Sequence, residues 1–148
     1  MTKFIIDTSV WSEALRRKKN TLNSSETVVR KIIENDDEIV ILGIILQEIL
    51  AGISNEKLFR EIKDILDDFV YLDITKNDYI YASELSNKCR SKGIIAGSID
   101  FLIASTAIRN ELQLVTSDKD FLNISKHSNL KILDINRFLE NKTKKNGI

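Results

Sequence analysis

Apolar residues along this chain follow two spacings. Short runs rich in β-branched or aromatic side chains, with little polar interruption, occur at residues 3–6, 38–42, 69–72, 112–116 and 131–133. Runs of this kind predict strands buried on both faces, as in a parallel sheet. Between them apolar positions return every three or four residues, the spacing of one helix face. Trp11 falls in an amphipathic first helix. Asn23 followed by Glu26 resembles a capping box and opens a helix running to about Asn35. Gly52 ends one helix and Ser54 or Asn55 caps the next, in which Leu58, Phe59, Ile62, Ile65, Leu66 and Phe69 share a face. Thr75 with Asp78 starts another that closes near Gly93, and Ser98 caps one running to about Glu111. This alternation predicts a three-layer α/β fold, a central parallel sheet flanked by helices. In such sheets ligands lie outside the carboxyl ends of the strands, so the residues that follow each strand are the first to search.

Composition narrows the chemistry. A length of 148 residues suits a single domain over residues 1–148, which can bury about 68–70% of its unfolded surface. With 43% hydrophobic and 30% charged residues the chain has the balance of a globular protein rather than a disordered one. One cysteine, Cys89, excludes an internal disulfide and a Cys-rich zinc site, and one histidine, His127, excludes paired-His metal sites. Only three apolar residues separate Lys3 from Asp7, so no secretory leader is expected, and the apolar run 39–46 is far too short for a membrane span. The expectation is a cytoplasmic protein without membrane contact. Lys and Arg balance Asp and Glu at 22 each, so any nucleic-acid binding must rest on local features. Arg16-Arg17-Lys18-Lys19, Lys88-Arg90-Lys92 and Lys142-Lys144-Lys145 are the candidate basic patches, each more simply read as a solvated face.

The residues after the strands are repeatedly acidic. Asp7 directly follows the first run and precedes Thr8 and Ser9; Asp118 and Asp120 follow the fourth. An Asp in such a place is commonly a turn or cap residue. Glu48 and Asp100 are harder to place that way. Glu48 stands among Ile44, Ile45, Leu46, Ile49 and Leu50, and Asp100 shares a helical face with Ile103, Ala104 and Ala107. A carboxylate in an apolar stripe must be paired, hydrogen-bonded or protonated, because unpaired buried charge is costly. No basic residue stands three or four positions from either acid, so a local ion pair cannot supply the partner. A shared cation can, and oxygen ligands without His or Cys select Mg²⁺ or Mn²⁺. Such ions serve chemistry on phosphates. The set Asp7, Glu48, Asp100 and Asp118 or Asp120 therefore predicts metal-assisted phosphodiester hydrolysis, without choosing RNA over DNA.

Four segments carry a resemblance. Phe4-Ile5-Ile6-Asp7-Thr8-Ser9-Val10-Trp11 resembles the opening motif of PIN-domain nucleases, especially the VapC-type toxins of prokaryotic toxin–antitoxin pairs. Glu48-Ile49-Leu50-Ala51-Gly52 is similar to their second motif, residues 98–107 around Asp100 to the third, and Thr116-Ser117-Asp118-Lys119-Asp120-Phe121 to the fourth. They stand in family order across positions 7 to 121; Ser98 occupies a place where the family often carries proline. The resemblance implies a Rossmann-like PIN fold and an Mg²⁺- or Mn²⁺-dependent, single-strand-specific endoribonuclease. It implies that Asp7 and Asp100 ligate metal most directly, that Glu48 and either Asp118 or Asp120 complete the pocket, and that Thr8, Ser9 and Thr116 position water or phosphate. For VapC-type toxins it further implies a homodimer, cleavage of transfer RNA (tRNA) or ribosomal RNA (rRNA), inhibition of translation, and a cognate antitoxin that enters the active-site groove.

Readings from other classes fit less well. A phosphoacceptor receiver domain needs paired acids after the first strand and a phosphorylatable Asp after the third, but Asp7 stands alone and Asp73 lacks other pocket features. A catalytically silent PIN-like RNA-binding module could lose its acids freely, yet all four positions are acidic here. Trp11 is read as core rather than a base-stacking platform, Cys89 as a half-buried helix position and His127 as a loop residue without catalytic work.

Overall fold

The computed structural model describes residues 1–15 and 23–141. Among them are five strands: β1 Lys3–Ile6, β2 Glu38–Leu42, β3 Val70–Leu72, β4 Gln113–Val115 and β5 Lys131–Ile132. All pair in parallel, in the order β3-β2-β1-β4-β5. The inner strands β1, β2 and β4 bury almost every residue, which is why their sequences lack polar alternation. The edge strands depart from the expectation of two buried faces. Val70 and Tyr71 of β3 are exposed, and β5 is only two residues long. Short edges of this kind discourage pairing with other chains.

Among the described residues eight helices accompany the strands: α1 Thr8–Ala14, α2 Ser24–Glu34, α3 Gly43–Ala51, α4 Glu56–Asp67, α5 Lys76–Ser91, α6 Ser98–Arg109, α7 Lys119–Ser125 and α8 Ile135–Glu140. Most of the expected caps are made. Asn23 Oδ1 accepts from the Glu26 N–H at 2.7 Å, and Asn55, rather than Ser54, accepts from the Leu58 N–H at 3.0 Å. Asp78 accepts from both the N–H and the hydroxyl of Thr75, at 2.8 and 3.0 Å. Ser98 is a correction: Gly97 holds the N-cap position of α6 and Ser98 is its first helical residue. Gly93 closes α5 with φ at 78°, a conformation in which a Cβ is costly.

Packing divides the helices into two groups. α1 packs on α2 and α3, α3 on α4, and α2 on α8; separately, α5 packs on α6 and α6 on α7. Right-handed crossovers in a sheet whose order reverses at β1 place two such groups on opposite faces, giving the three layers. Trp11 is buried with its ring centroid 5.3 Å from that of Phe69, so it is a core residue as expected. Cys89 is buried fully rather than by half, and that burial raises its thiol pKa. Buried Asp78 also accepts from Arg109 Nε at 3.0 Å, tying α5 to α6. No described helix is long and apolar enough to cross a membrane. The basic clusters at 16–19 and 142–145 lie outside the described residues. Lys88 and Arg90 are exposed in the last turn of α5, where helix carbonyls favour cations.

Candidate active site

The strand order reverses at β1: β2 and β3 lie to one side, β4 and β5 to the other. Connections that diverge at such a point leave a crevice beyond the carboxyl ends of the strands. Asp7 stands in it. Its N–H donates to the Val115 carbonyl at 3.0 Å, carrying the β1–β4 pairing one residue past the strand. Its side chain is buried, and its Oδ2 accepts from Ser9 Oγ and from Thr116 Oγ1, both at 2.9 Å. Asp7 occupies the N-cap position of α1 but makes no side-chain capping bond. The plain helix-cap reading therefore fails for Asp7. Both hydroxyls reach the same oxygen, which leaves Oδ1 for another partner.

Thr116 links Asp7 to the fourth motif. It is buried, and besides donating to Asp7 its Oγ1 accepts from the Asp118 N–H at 3.0 Å. Asp118 in turn caps α7, its Oδ1 accepting from the Asp120 N–H at 2.9 Å. For Asp118 the cap reading holds for one oxygen. Asp120, half-buried in the first turn of α7, makes no such capping bond.

Asp100 lies half-buried in the first turn of α6. Burial is the main influence raising its carboxyl pKa above the ordinary carboxylate range; a hydrogen bond from the Gly97 backbone opposes it, and the charges of Asp118, Asp120 and Asp7 push it further up. Like charges disfavour one another's ionisation only at close range, so these four acids share one local field. They reach it from the end of β1, the start of α6 and the β4–α7 junction.

Glu48 is placed differently from the expectation. Ile45 and Ile49 of α3 are buried, but Glu48 itself is exposed, on the outer side of the helix. It is not a desolvated charge in an apolar stripe. It joins the site through Thr8, whose Oγ1 donates to Glu48 Oε2 at 2.9 Å, and Thr8 is the residue next to Asp7. A cavity of about 310 Å³ is lined by Glu48 and Ser12 together with Leu15, Ile49, Ile53, Leu58 and Ile62.

Among the described residues no group of three or more His, Cys, Asp or Glu is drawn together tightly enough to hold a metal ion unaided. The donor set nonetheless fits a hydrated divalent cation. Mg²⁺ characteristically keeps several waters and takes only one or two carboxylates, and an open pocket of carboxylate and hydroxyl oxygens offers that. The residues that reading the sequence missed lie on the far side of Thr116. Ser117, Leu133 and Asn136 line a second cavity there, built partly by α7 and α8. The i, i+3, i+4 spacing of Ile135, Phe138 and Leu139 after Asp134 was the available signal for α8.

Comparison with known proteins agrees with this arrangement. The model of a family described as "PIN domain" matches residues 4–127. Ribonuclease VapC2 of Rickettsia felis is 29% identical over 126 residues, covering 82% of this chain and 91% of the relative. Among solved structures, VapBC2 from Rickettsia felis bound to a DNA fragment from their promoter matches with a TM-score of 0.71 at 26% identity, over 89% of this chain and 98% of that one. FitAcB from Neisseria gonorrhoeae shares the fold at a TM-score of 0.69 and 20% identity, over 89% of this chain and 97% of that one. DNA-bound VapBC from Salmonella typhimurium does so at 0.69 and 20%, over 91% and 99%.

Proposed function

The chain belongs to the PIN-domain family, and on that premise we propose that it is an Mg²⁺- or Mn²⁺-dependent endoribonuclease, the toxin of a toxin–antitoxin pair. The observation that carries this reading is the shared field of Asp7, Asp100, Asp118 and Asp120 at the strand-order reversal. Acidic side chains that share one field in a crevice do little to stabilise a fold and suit a hydrated hard cation. Similarity to a protein named as a ribonuclease supports the nuclease class, and similarity to toxin–antitoxin complexes supports a cognate antitoxin. The substrate is single-stranded RNA, with tRNA or rRNA as the target and translation as the process inhibited. The protein acts in the cytoplasm as one domain, residues 1–148. An apolar groove of about 410 Å³ between α5 and α6, with Tyr79 and Ile99 exposed beside it, supports a homodimer.

Asp7 and Asp100 would hold the ion, with Asp118 or Asp120 and Glu48 around it. The ion supplies Lewis-acid polarisation of the phosphate and neutralises charge on the leaving oxygen. The chain's own residues set the geometry. Ser9 and Thr116 fix the rotamer of Asp7, both donating to its Oδ2. Thr8 holds Glu48 at the rim. Asp100, whose proton affinity is raised by burial, holds a proton more tightly than an ordinary carboxylate when no cation is bound.

The test is cleavage of a mixed tRNA and rRNA pool by the purified protein with Mg²⁺, Mn²⁺ or EDTA, beside Asp100→Asn. Discrete fragments that need the metal and vanish in the variant are expected. A folded, metal-binding protein that cuts no RNA in the pool would overturn the nuclease reading in favour of a catalytically silent RNA-binding module.

A further inference from the structure

A cavity of about 520 Å³ opens beyond the carboxyl ends of β4 and β5, on the opposite side of Asp7 from Glu48. Thr116 belongs both to it and to the acid site, donating to Asp7 Oδ2 while lining the cavity. Leu133 is buried in its wall, and Ser117, Leu122 and Asn136 stand exposed around it. The volume is in the range of sites that enclose a small organic group.

The lining states what that group is. Among the described residues that form it there is no Lys or Arg, and its one charged side chain is Asp134. Asp134 Oδ1 is already engaged, accepting from the Arg137 N–H at 3.2 Å as the cap of α8. An anionic phosphate gains nothing from such walls. Leucine surfaces with a few hydroxyl and amide groups suit instead a flat, neutral group with a hydrogen-bonding edge. In single-stranded RNA the nucleobase has that character, since unstacked bases are splayed out and read along their edges. The neighbouring acids are suited to the phosphodiester. The two sites meet at one residue, as a base and its own backbone do.

We infer that this cavity is a base pocket, taking the nucleobase of one nucleotide beside the scissile phosphate. Leu122 and Leu133 pack on the faces of the base, and Ser117 and Asn136 read its edge. The inference rests on the acids being a phosphodiester-cleaving site, and it names what selects the cleavage position.

Two measurements test it. The first needs no metal and no cleavage: adenosine, guanosine, cytidine and uridine are titrated in turn into labelled protein, with inorganic phosphate as control. At millimolar concentration at least one nucleoside shifts the amide resonances of Ser117, Leu133 and Asn136, phosphate does not, and Asn136→Trp abolishes the shift by filling the pocket. Asn136 is exposed, so this variant keeps the fold, which its other resonances verify. The second uses short single-stranded RNAs in which each nucleotide flanking the cleaved bond is made abasic in turn. Removing the base at one position raises KM for wild type about tenfold and leaves Asn136→Trp unaffected. Absence of nucleoside shifts, equal shifts from phosphate, or a flat abasic scan overturns the pocket. Nucleoside binding without RNA cleavage leaves the pocket standing and removes the nuclease reading; cleavage with no nucleoside shift and a flat scan removes the pocket alone.

Discussion

Thr116 is the residue through which the site is tied to the sheet, and Thr116→Val isolates that tie. The exchange keeps side-chain shape and removes one hydroxyl with two hydrogen bonds. Its bond to Asp7 Oδ2, at 2.9 Å and buried, is of the charged type, worth about 1.5–3 kcal/mol. The bond accepted from the Asp118 N–H adds little, because Asp118 is exposed and water can replace the hydroxyl. Ser9 still donates to the same Asp7 oxygen and limits the loss. The net expectation is about 2 kcal/mol of destabilisation. For a chain of this size that lowers Tm by about 4–8 °C, at about 2–4 °C per kcal/mol. Thr116→Ser is the control, since it keeps the hydroxyl and loses a methyl at about 1 kcal/mol. Urea unfolding in metal-free buffer at neutral pH, run as a cycle with Asp7→Ala, should give a coupling of about 1–2 kcal/mol. A coupling near zero, or a Thr116→Val variant more stable than Thr116→Ser, would refute the claim that this hydroxyl holds Asp7 in place.

Three further outcomes are expected. Asp100 binds its proton more tightly folded than unfolded, so its contribution favours folding at low pH and is lost as pH rises through the raised folded value. In metal-free buffer wild type should therefore lose stability relative to Asp100→Asn as pH climbs from about 4, then level off; parallel stability curves would count against the shared field. Asp78→Ala removes the cap of α5 and strands Arg109, which is partly exposed and can be rehydrated. A loss of about 2–3 kcal/mol is expected in urea unfolding, and a loss below about 0.5 kcal/mol would show that the α5–α6 tie is ornamental. Mg²⁺ at a hundred times its Kd should raise wild-type stability by about 2.7 kcal/mol, with a smaller rise in Asp100→Asn; equal rises would place the ion elsewhere.

What could be read from the chain and what could not divides along physical lines. β1 and β2 match their predicted limits because both are inner strands, whose runs of apolar residues have sharp ends. β3, β4 and β5 are each shorter than predicted, since apolar residues beyond the ladder still pack on the core. α7, at seven residues, is too short to show periodicity against its flanks, and α8, at six, offers only the single spacing of Ile135, Phe138 and Leu139. Asp7, Asp100 and the fourth-motif acids were legible as residues that follow strands or open helices. Glu48 was misread in its surroundings, because helical spacing tells which residues share a face but not how far that face is covered. The base pocket was illegible, since its walls come from segments as distant as Ser24 and Asn136 and no local pattern records their meeting.

The pairing of β1 with β4 has a consequence for the chain while it is being made. Asp7 is synthesised well before its partner, since the hydroxyl that fixes it arrives 109 residues later. A nascent chain folds from its amino end, so it carries β1 and β2 long before β4 can slot in beside them. Such distant pairings are also among the slower steps of folding. On the function proposed here, a chain still being translated is inert toward RNA. The protein spares the ribosome producing it until the chain has been read through β4 and Thr116.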